Sequence, residues 1–167
     1  MATKQLPPTD ILRQLFQYDP ETGIIIRATS RRGHSKKGDH AGTVSDNGYL
    51  NINYKNKIYR AHRIAWKLFY DEEPPVQIDH INGNRLDNRI CNLRKATRSQ
   101  NNMNKTTCIN SKTGITGVNF NGRKNRWRVR IGINSKKIHI GTYNSFDEAV
   151  AARKAAEAKY HGEYARN

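Results

Sequence analysis

Four residues between positions 79 and 101, Asp79, His80, Asn92 and Asn101, have types and a spacing that could do chemistry together. Asp79 offers an anionic oxygen and Asn101 a neutral amide oxygen, both of which suit a hard divalent cation. His80 is the nearby side chain whose ordinary pKa allows it to accept a proton close to neutral pH. With Asn92 between them, these residues predict a site where one cation stabilises phosphate charge while the histidine deprotonates a water.

The elements expected around these residues bring them together. Residues 76–81 alternate apolar and polar side chains, which predicts a short strand with the Asp-His pair at its end. The Asn-Gly dipeptide that follows is a strong turn signal. Thr97 and Gln100 form a capping box, so a helix should begin near residue 98 and carry Asn101 in its first turn. The end of the strand and the start of the helix would then face each other across a gap large enough for one ion.

The stretch DHINGNRLDNRICNLRKATRSQNN resembles the HNH endonuclease family, particularly its phage and intron homing-type members. The resemblance implies a two-stranded ribbon followed by a helix that grips one metal ion. It implies Asp79 as a metal ligand, His80 as the general base, Asn92 as the residue that holds the loop and orients the histidine, and Asn101 as the second ligand. Many relatives have His at this last position. Mg²⁺ is the expected cation, and Mn²⁺ would also satisfy these ligands.

The charge of the chain indicates a nucleic-acid partner. Its 30 Lys plus Arg against 14 Asp plus Glu give a net charge of +16, and residues 111–167 contribute half of it. No apolar run approaches the roughly 20 residues that span a bilayer, and the start MATKQLPPTD lacks the apolar centre of a signal peptide. The resemblance to phage and intron homing-type HNH enzymes implies a phage- or mobile-element-encoded protein, which we expect in the cytoplasm of a bacterial host. Its partner would be double-stranded DNA, with no membrane and no obligatory protein partner.

The composition also limits the kind of core and metal site. With 35% hydrophobic residues, small modules with modest cores fit better than one large apolar core. Cys91 and Cys108 do not form a Cys-x-x-Cys pair, so we expect no structural zinc. We expect both cysteines to be free thiols in a reducing cytoplasm.

The residues upstream of the Asp-His pair predict small elements. Thr9 could cap a short helix with its apolar residues on one face, and residues 24–26 predict a short strand. Residues 49–59 alternate on both sides of a polar turn and predict a β-hairpin. Residues 61–70 predict a helix that must end before the Pro-Pro pair.

Two features of this upstream region have a possible functional role. Residues 27–40 form a polar, basic, glycine-punctuated loop, so Arg31 and Arg32 either grip DNA phosphates or belong to a solvated surface. His62 lies in a segment that also resembles the homing-type HNH group. It either points into the active site and supports the residues there, or packs the helix against the ribbon.

The last third of the chain predicts three strands and a helix. Residues 126–133 alternate arginines with apolar residues, so three guanidinium groups should line one face of a strand. Ser145 and Glu148 form a capping box for a helix that reaches about residue 160. The order resembles the APETALA-type DNA-binding domain of plant ethylene-response factors, and the matching residues are Gly117-Val118, Trp127, Ile140-Gly141-Thr142-Tyr143 and the run FDEAVAA that begins at Phe146.

In that family the sheet lies in the DNA major groove. The resemblance makes Arg126, Arg128 and Arg130 candidates for base contacts, since arginine can bind guanine bidentately. Lys136 and Lys137 fit better as phosphate contacts, which position a protein without specifying sequence. An alternative is that the arginines form only a solvated sheet face. Trp127 is expected in the core under the helix.

We therefore predict an α+β protein in which a ββα-metal HNH unit follows a β-hairpin/helix region and precedes a three-stranded antiparallel sheet packed on one helix. The predicted domains are an HNH nuclease domain at 1–105 with its core at 76–105, a linker at 106–114 and an APETALA-type domain at 115–164. The predicted function is a metal-dependent, homing-type DNA endonuclease that nicks as a monomer. The alternative is a non-catalytic, sequence-specific DNA-binding regulator. An RNA-binding protein would fit the charge, but the sequence lacks the aromatic platform expected for splayed bases.

Overall fold

The computed structural model describes residues 5–30, 35–104 and 113–165. The chain divides into two compact units, Met1–Ala96 and Thr97–Asn167. In the three ranges just given, no helix combines the length and the apolar content needed to cross a bilayer.

The first unit is built from two α-helices, one short 3-10 helix (Ile90–Asn92) and three small antiparallel sheets of its described residues. The α-helices and strands in chain order are α1 (Thr9–Leu15), β1 (Phe16–Tyr18), β2 (Ile25–Arg27), β3 (Thr43–Val44), β4 (Leu50–Tyr54), β5 (Lys57–Arg60), α2 (Ala61–Tyr70), β6 (Ile78–His80) and β7 (Leu93–Lys95). Strand β1 pairs with β2, β3 with β4 and β4 with β5, and β6 pairs with β7.

Local sequence explains the hairpin and the helix that follow one another in this unit. Lys55 and Asn56 both have positive φ, as the type I′ turn between β4 and β5 requires. The helix α2 ends at Tyr70, and its C-cap residue Asp71 takes the left-handed conformation (φ 55°) before the Pro-Pro pair. The buried face of α2 includes Ile64 and Trp66.

One hydrophobic cluster joins the elements of the first unit. Leu12, Ile25 and Ile52 from three different elements are almost completely buried in it. Ile78 of β6 and Leu93 of β7 belong to the same cluster. The β6–β7 ribbon is therefore fixed to the body of the unit by apolar packing.

The α-helices and strands of the second unit are α3 (Arg98–Met103), β8 (Val118–Asn121), β9 (Arg126–Ile133), β10 (Lys136–Tyr143) and α4 (Phe146–His161). The strands form an antiparallel sheet in the order β10–β9–β8, and the long helix α4 packs against it. The core is formed by Val118, Val129 and Ala149, with Trp127 and Phe146 packed around them.

Buried polar side chains of α4 complete the hydrogen bonding of β9 beyond the end of β8. Arg153 Nη1 donates to the carbonyl oxygen of Arg130 at 2.6 Å, and the His161 ring nitrogen Nε2 lies 3.1 Å from that of Gly132. At Gly117 (φ 82°) an added Cβ would come within 2.2 Å of the same Arg130 oxygen, so this close approach of strand ends requires glycine.

The mixed α+β fold class is confirmed, including the three-stranded sheet packed on the C-terminal helix. The prediction that Thr9 caps α1 is wrong, because Pro8 occupies the N-cap position and Thr9 is the first helical residue. Strands β1 and β3 were not predicted. The domain boundaries stay a prediction: the first unit ends at Ala96, and most of the predicted linker, with Cys108, lies outside the described residues.

Candidate active site

The β6–β7 ribbon presents the Asp-His pair at the end of a buried strand. Asp79 pairs with Arg94 and His80 with Leu93 across the ribbon. Both side chains are almost completely buried, at 4% and 5% exposure. The chain turns immediately afterwards, where the Gly83 N–H donates to the carbonyl oxygen of His80 at 2.8 Å. The strand end therefore fixes the positions of a carboxylate and an imidazole side by side.

Asn92 braces the loop that joins the two strands. Its Oδ1 accepts from the Asn82 N–H at 3.0 Å, and its Nδ2 donates to the Asp87 carbonyl oxygen at 2.8 Å. Its own carbonyl oxygen accepts from the Ile81 N–H at 2.9 Å. One buried side chain thus crosslinks the start and the middle of the loop, and the catalytic role of Asn92 in orienting His80 stays a prediction.

The middle of this loop is ordered by charge as well. Arg89 donates to both carboxylate oxygens of Asp87, at 2.8 and 2.6 Å, and Asn82 Nδ2 donates to the same group at 2.7 Å. The hydrogen bonds from Arg89 chiefly lower the pKa of Asp87 to about 2. At neutral pH this carboxylate is ionised and holds the loop in one conformation.

The environment of His80 favours the neutral imidazole. Burial lowers the pKa of His80 below its ordinary 6.5, while contact with Asn88 and the charge of Asp79 act in the opposite direction. The ring nitrogen Nε2 lies 3.4 Å from Asn88 Oδ1, and Asn88 itself is 2% exposed. A neutral imidazole near pH 7 can accept a proton, as a general base must.

His62 lies directly beside His80. The two rings are perpendicular, with their centres 5.0 Å apart. Burial chiefly, with the nearby charges of His80, Arg63 and Arg60, holds the pKa of His62 well below 6.5. The structure places this residue of α2 against the candidate base, and its functional role stays a prediction.

Asp79 forms a buried ion pair with Arg94. The Nε and Nη2 atoms of Arg94 lie 2.9 and 2.7 Å from the Oδ2 atom of Asp79. The exposed fractions of the two side chains are 15% for Arg94 and 4% for Asp79. Because the two residues are directly opposite in the ribbon register, the pair follows from the strand pairing itself.

A segment that covers this ribbon, loop and flanking helices matches a known family. The family model for HNH endonucleases matches residues 59–103. This segment is an HNH endonuclease domain. The match spans the Asp-His pair, Asn92 and the helix α3, and it ends before the C-terminal sheet, so the APETALA-type resemblance of residues 115–164 stays a prediction.

Two viral proteins are similar to this chain. Protein 3.8 of Escherichia phage T7 is 29% identical over 111 residues, which cover 66% of this chain and 91% of the phage protein. The Uncharacterized HNH endonuclease L560 of Acanthamoeba polyphaga mimivirus is 35% identical over 75 residues, or 44% of this chain and 40% of that protein. No solved structure gave a significant match.

The donor chemistry of the HNH domain suits a magnesium-type ion. A carboxylate offers two oxygens with about four lone pairs, so the contact of Arg94 with Oδ2 is compatible with Asp79 also acting as a metal ligand. Mg²⁺ usually binds one or two carboxylates and completes its shell with water and substrate phosphates. In the described ranges, no group of three or more His, Cys, Asp or Glu residues could hold a metal ion.

Asn101, the second predicted ligand, lies in α3 of the second unit. The capping box at the start of α3 is formed as predicted, with Gln100 N donating to Thr97 Oγ1 at 3.2 Å and Thr97 N donating to Gln100 Oε1 at 2.7 Å. Asn101 N donates to the Thr97 carbonyl oxygen at 2.9 Å, and its side chain is half-buried. Its pairing with Asp79 around one ion stays a prediction.

The predicted DNA-binding residues of the C-terminal sheet divide between its two faces. Arg126, Arg128 and Arg130 share the face opposite α4, and strand pairing places Lys137, which lies opposite Gly132, on that face. Lys136 lies opposite Ile133, which faces the other way, so it does not join the arginines. Arg31 and Arg32 lie outside the described residues.

The tryptophan of β9 packs into the core under α4, as expected. The centre of the Trp127 ring is 4.8 Å from that of Phe146 on α4 and 4.9 Å from that of Phe120 on β8. The arginine face is therefore supported from behind by an aromatic layer.

Two residues of the site were missed by sequence reasoning. Asn88 contacts the candidate base, but in the sequence it is one of several loop-forming residues without a distinguishing signal. Arg94 contacts Asp79 because the ribbon register places them opposite each other. The Asn-Leu-Arg run after the loop was the available signal, but register depends on how the loop folds.

Proposed function

We propose that this protein is a metal-dependent DNA endonuclease of the homing type, encoded by a phage or mobile element and acting in the cytoplasm of a bacterial host. The observation that carries the proposal is the buried Asp79-His80 pair at the end of β6, inside an HNH domain. The viral origin of both similar proteins supports the phage assignment.

In the proposed reaction His80 takes a proton from the attacking water. Its ring is held between Asn88 and His62, and burial keeps it neutral near pH 7. Asn92 keeps the loop closed behind it. Asp79 and Asn101 would hold a divalent cation, Mg²⁺ or Mn²⁺, which supplies charge stabilisation for the phosphate and the leaving oxygen.

The C-terminal sheet would locate the cleavage site. Arg126, Arg128 and Arg130 are exposed or half-exposed along one face, which suits contacts with base edges, and Lys137 on the same face suits a phosphate contact. Arg31, Arg32 and Lys136 are further candidates for phosphate contacts. One catalytic unit addresses one strand, so we propose that a monomer nicks its duplex.

The proposal is tested by incubating the protein with supercoiled plasmid DNA that carries a candidate site, with Mg²⁺ or with EDTA. The wild-type protein should convert the plasmid to its open-circular form only with the metal. His80→Ala and His80→Gln should both reduce the rate by at least about 100-fold, since glutamine can hydrogen-bond but cannot act as the base.

Thermal unfolding of both variants controls for loss of the fold. Nicking that persists in both folded variants would remove His80 as the base. Tight DNA binding in EDTA without any cleavage in Mg²⁺ or Mn²⁺ would instead favour the DNA-binding regulator.

A further inference from the structure

A group of basic and aromatic side chains lies beside the candidate base. The guanidinium carbon of Arg60 is 4.4 Å from the centre of the Tyr49 ring, and that of Arg85 is 4.9 Å from it. The same ring centre is 6.1 Å from that of His80 and 5.5 Å from that of His62. We call Tyr49, Arg60 and Arg85 the Tyr49 cluster.

The turn between β3 and β4, together with Asn51 of β4, holds both arginines of the Tyr49 cluster. Arg60 Nη1 donates to Ser45 Oγ at 3.1 Å and to Asn51 Oδ1 at 3.2 Å. Arg85 Nη1 donates to the Asn47 carbonyl oxygen at 2.8 Å. All of these acceptors are neutral, so the contacts orient the guanidinium groups without neutralising them.

The cluster therefore concentrates positive charge at the site. Within the part of the chain that the structure describes, neither Arg60 nor Arg85 forms an ion pair with a carboxylate. A bound anion would offset the repulsion between two guanidinium groups that lie on one ring, and the planar guanidinium group of arginine matches the geometry of phosphate oxygens.

We infer that Arg85, held on the ring of Tyr49, binds a phosphate of the cleaved strand at or next to the scissile bond. The inference rests on the proposed nuclease function, since it places the phosphate beside His80. Arg85 is exposed and so accessible to DNA, whereas Arg60 is half-buried and acts with Tyr49 as a positioning residue. The aromatic ring supports the guanidinium group through a cation–π contact. Tyr49 precedes residues 59–103, so the β3–β4 turn extends the site beyond the matched HNH segment.

The test compares Arg85→Ala with Arg13→Ala. Arg13 is an exposed arginine of the same unit that pairs with Asp71, outside the Tyr49 cluster, so both variants lose one surface charge. For Arg85→Ala we expect kcat/KM for plasmid nicking to fall about 100-fold, as when one charge-stabilising donor is lost. In EDTA, the slope of log K against log salt for a duplex should decrease by about 0.9, the value for one phosphate contact. Arg13→Ala should change neither quantity.

A second pair of variants tests the aromatic platform. Tyr49→Phe keeps the ring and should retain the wild-type rate within about twofold, whereas Tyr49→Leu removes the cation–π contact and should approach Arg85→Ala. Arg85→Lys should recover only part of the rate, because an ammonium group lacks the bidentate fork. A Tyr49→Leu variant that cleaves like Tyr49→Phe would overturn the positioning role of the ring.

The binding measurement separates this inference from the nuclease proposal. If the wild-type protein does not cleave but Arg85→Ala lowers the salt slope, the phosphate contact stands and the nuclease proposal falls. If the wild-type protein cleaves and Arg85→Ala behaves like Arg13→Ala in both measurements, the phosphate contact is overturned and the nuclease proposal stands. If there is neither cleavage nor a change of slope, both fall.

Discussion

The β6–β7 ribbon and the C-terminal sheet both consist of β-strands that carry polar side chains, but these side chains are buried in the ribbon and exposed on the sheet. Asp79, His80 and Asn92 of the ribbon and its loop are at most 6% exposed. Arg126, Arg130 and others of the sheet face are exposed. A buried polar group has to find its partners inside the protein, and an exposed one can exchange water for a ligand. The first arrangement suits chemistry at a fixed point, and the second suits contacts that form on binding.

Arginine shows the same contrast within one residue type. Arg94 is fixed by a buried carboxylate, whereas the side chain of Arg130 projects from the face of the sheet that lies away from α4. On the other face, Arg153 of α4 donates a hydrogen bond to the main-chain carbonyl oxygen of Arg130. Position therefore decides whether a guanidinium group supports the fold or is available to a partner.

The largest effect expected from this contrast is on stability. Arg94→Ala leaves the Asp79 carboxylate buried without its counter-charge, and the free energy of unfolding of the first unit should fall by about 3 kcal/mol. Arg130→Ala removes an exposed side chain and should change that of the second unit by less than about 0.5 kcal/mol. Urea unfolding followed by tryptophan fluorescence can measure both, because Trp66 lies in the first unit and Trp127 in the second.

Equal stability losses in these two variants would break the comparison, since the ion pair would then contribute no more than a surface arginine. The variant Asp79→Asn with Arg94→Ala provides a control. Removing both charges should recover part of the loss if the penalty comes from the unpaired carboxylate.

Local signals in the sequence were sufficient for much of this fold. Both capping boxes formed, at Thr97 and at Ser145, because each depends on residues three positions apart. The alternation in β9 also determined its faces. Phe16, in contrast, continues the helical spacing of Leu12 and Leu15 but lies in β1, because it pairs with Arg27 eleven residues further along.

The sequence was less informative about the candidate site, because contacts there join residues that are not neighbours in the chain. The Asp-His pair and Asn92 could be selected by residue type, but the contact of Asn88 with His80 depends on how a whole loop closes. Lys136 and Lys137 looked equivalent, and only the register with β9 separates them onto two faces. Contacts set by register or loop closure are not encoded in neighbouring residues.

A smaller effect should distinguish the two kinds of contact on the sheet face. Arg128→Ala should cost about 2 kcal/mol against the preferred base at one position of the target and thereby relax sequence preference there. Lys137→Ala should weaken binding to all duplexes alike and lower the salt slope by about 0.9. Binding of a library of single-base variants at two salt concentrations measures both. If the two substitutions have the same effect on every duplex, the sheet has no separate base and phosphate contacts.

The smallest effect concerns how the stability of the first unit, which contains the buried site, depends on pH. The folded state keeps His62 neutral because burial lowers its pKa well below 6.5, whereas the unfolded chain takes up a proton near that value. The stability from this group is therefore complete above about pH 6.5 and is lost as the pH falls further. Between pH 7 and pH 6 the loss should be about 0.7 kcal/mol for a histidine that stays neutral when folded.

His62→Phe keeps a ring against His80 but cannot titrate, so it should flatten this part of the pH dependence. Urea unfolding at pH 7 and pH 6, observed for the first unit, gives the difference for both proteins. A wild-type protein whose stability is the same at the two pH values would show that water reaches His62 in solution. The site would then lack the buried character that separates it from the open arginine face.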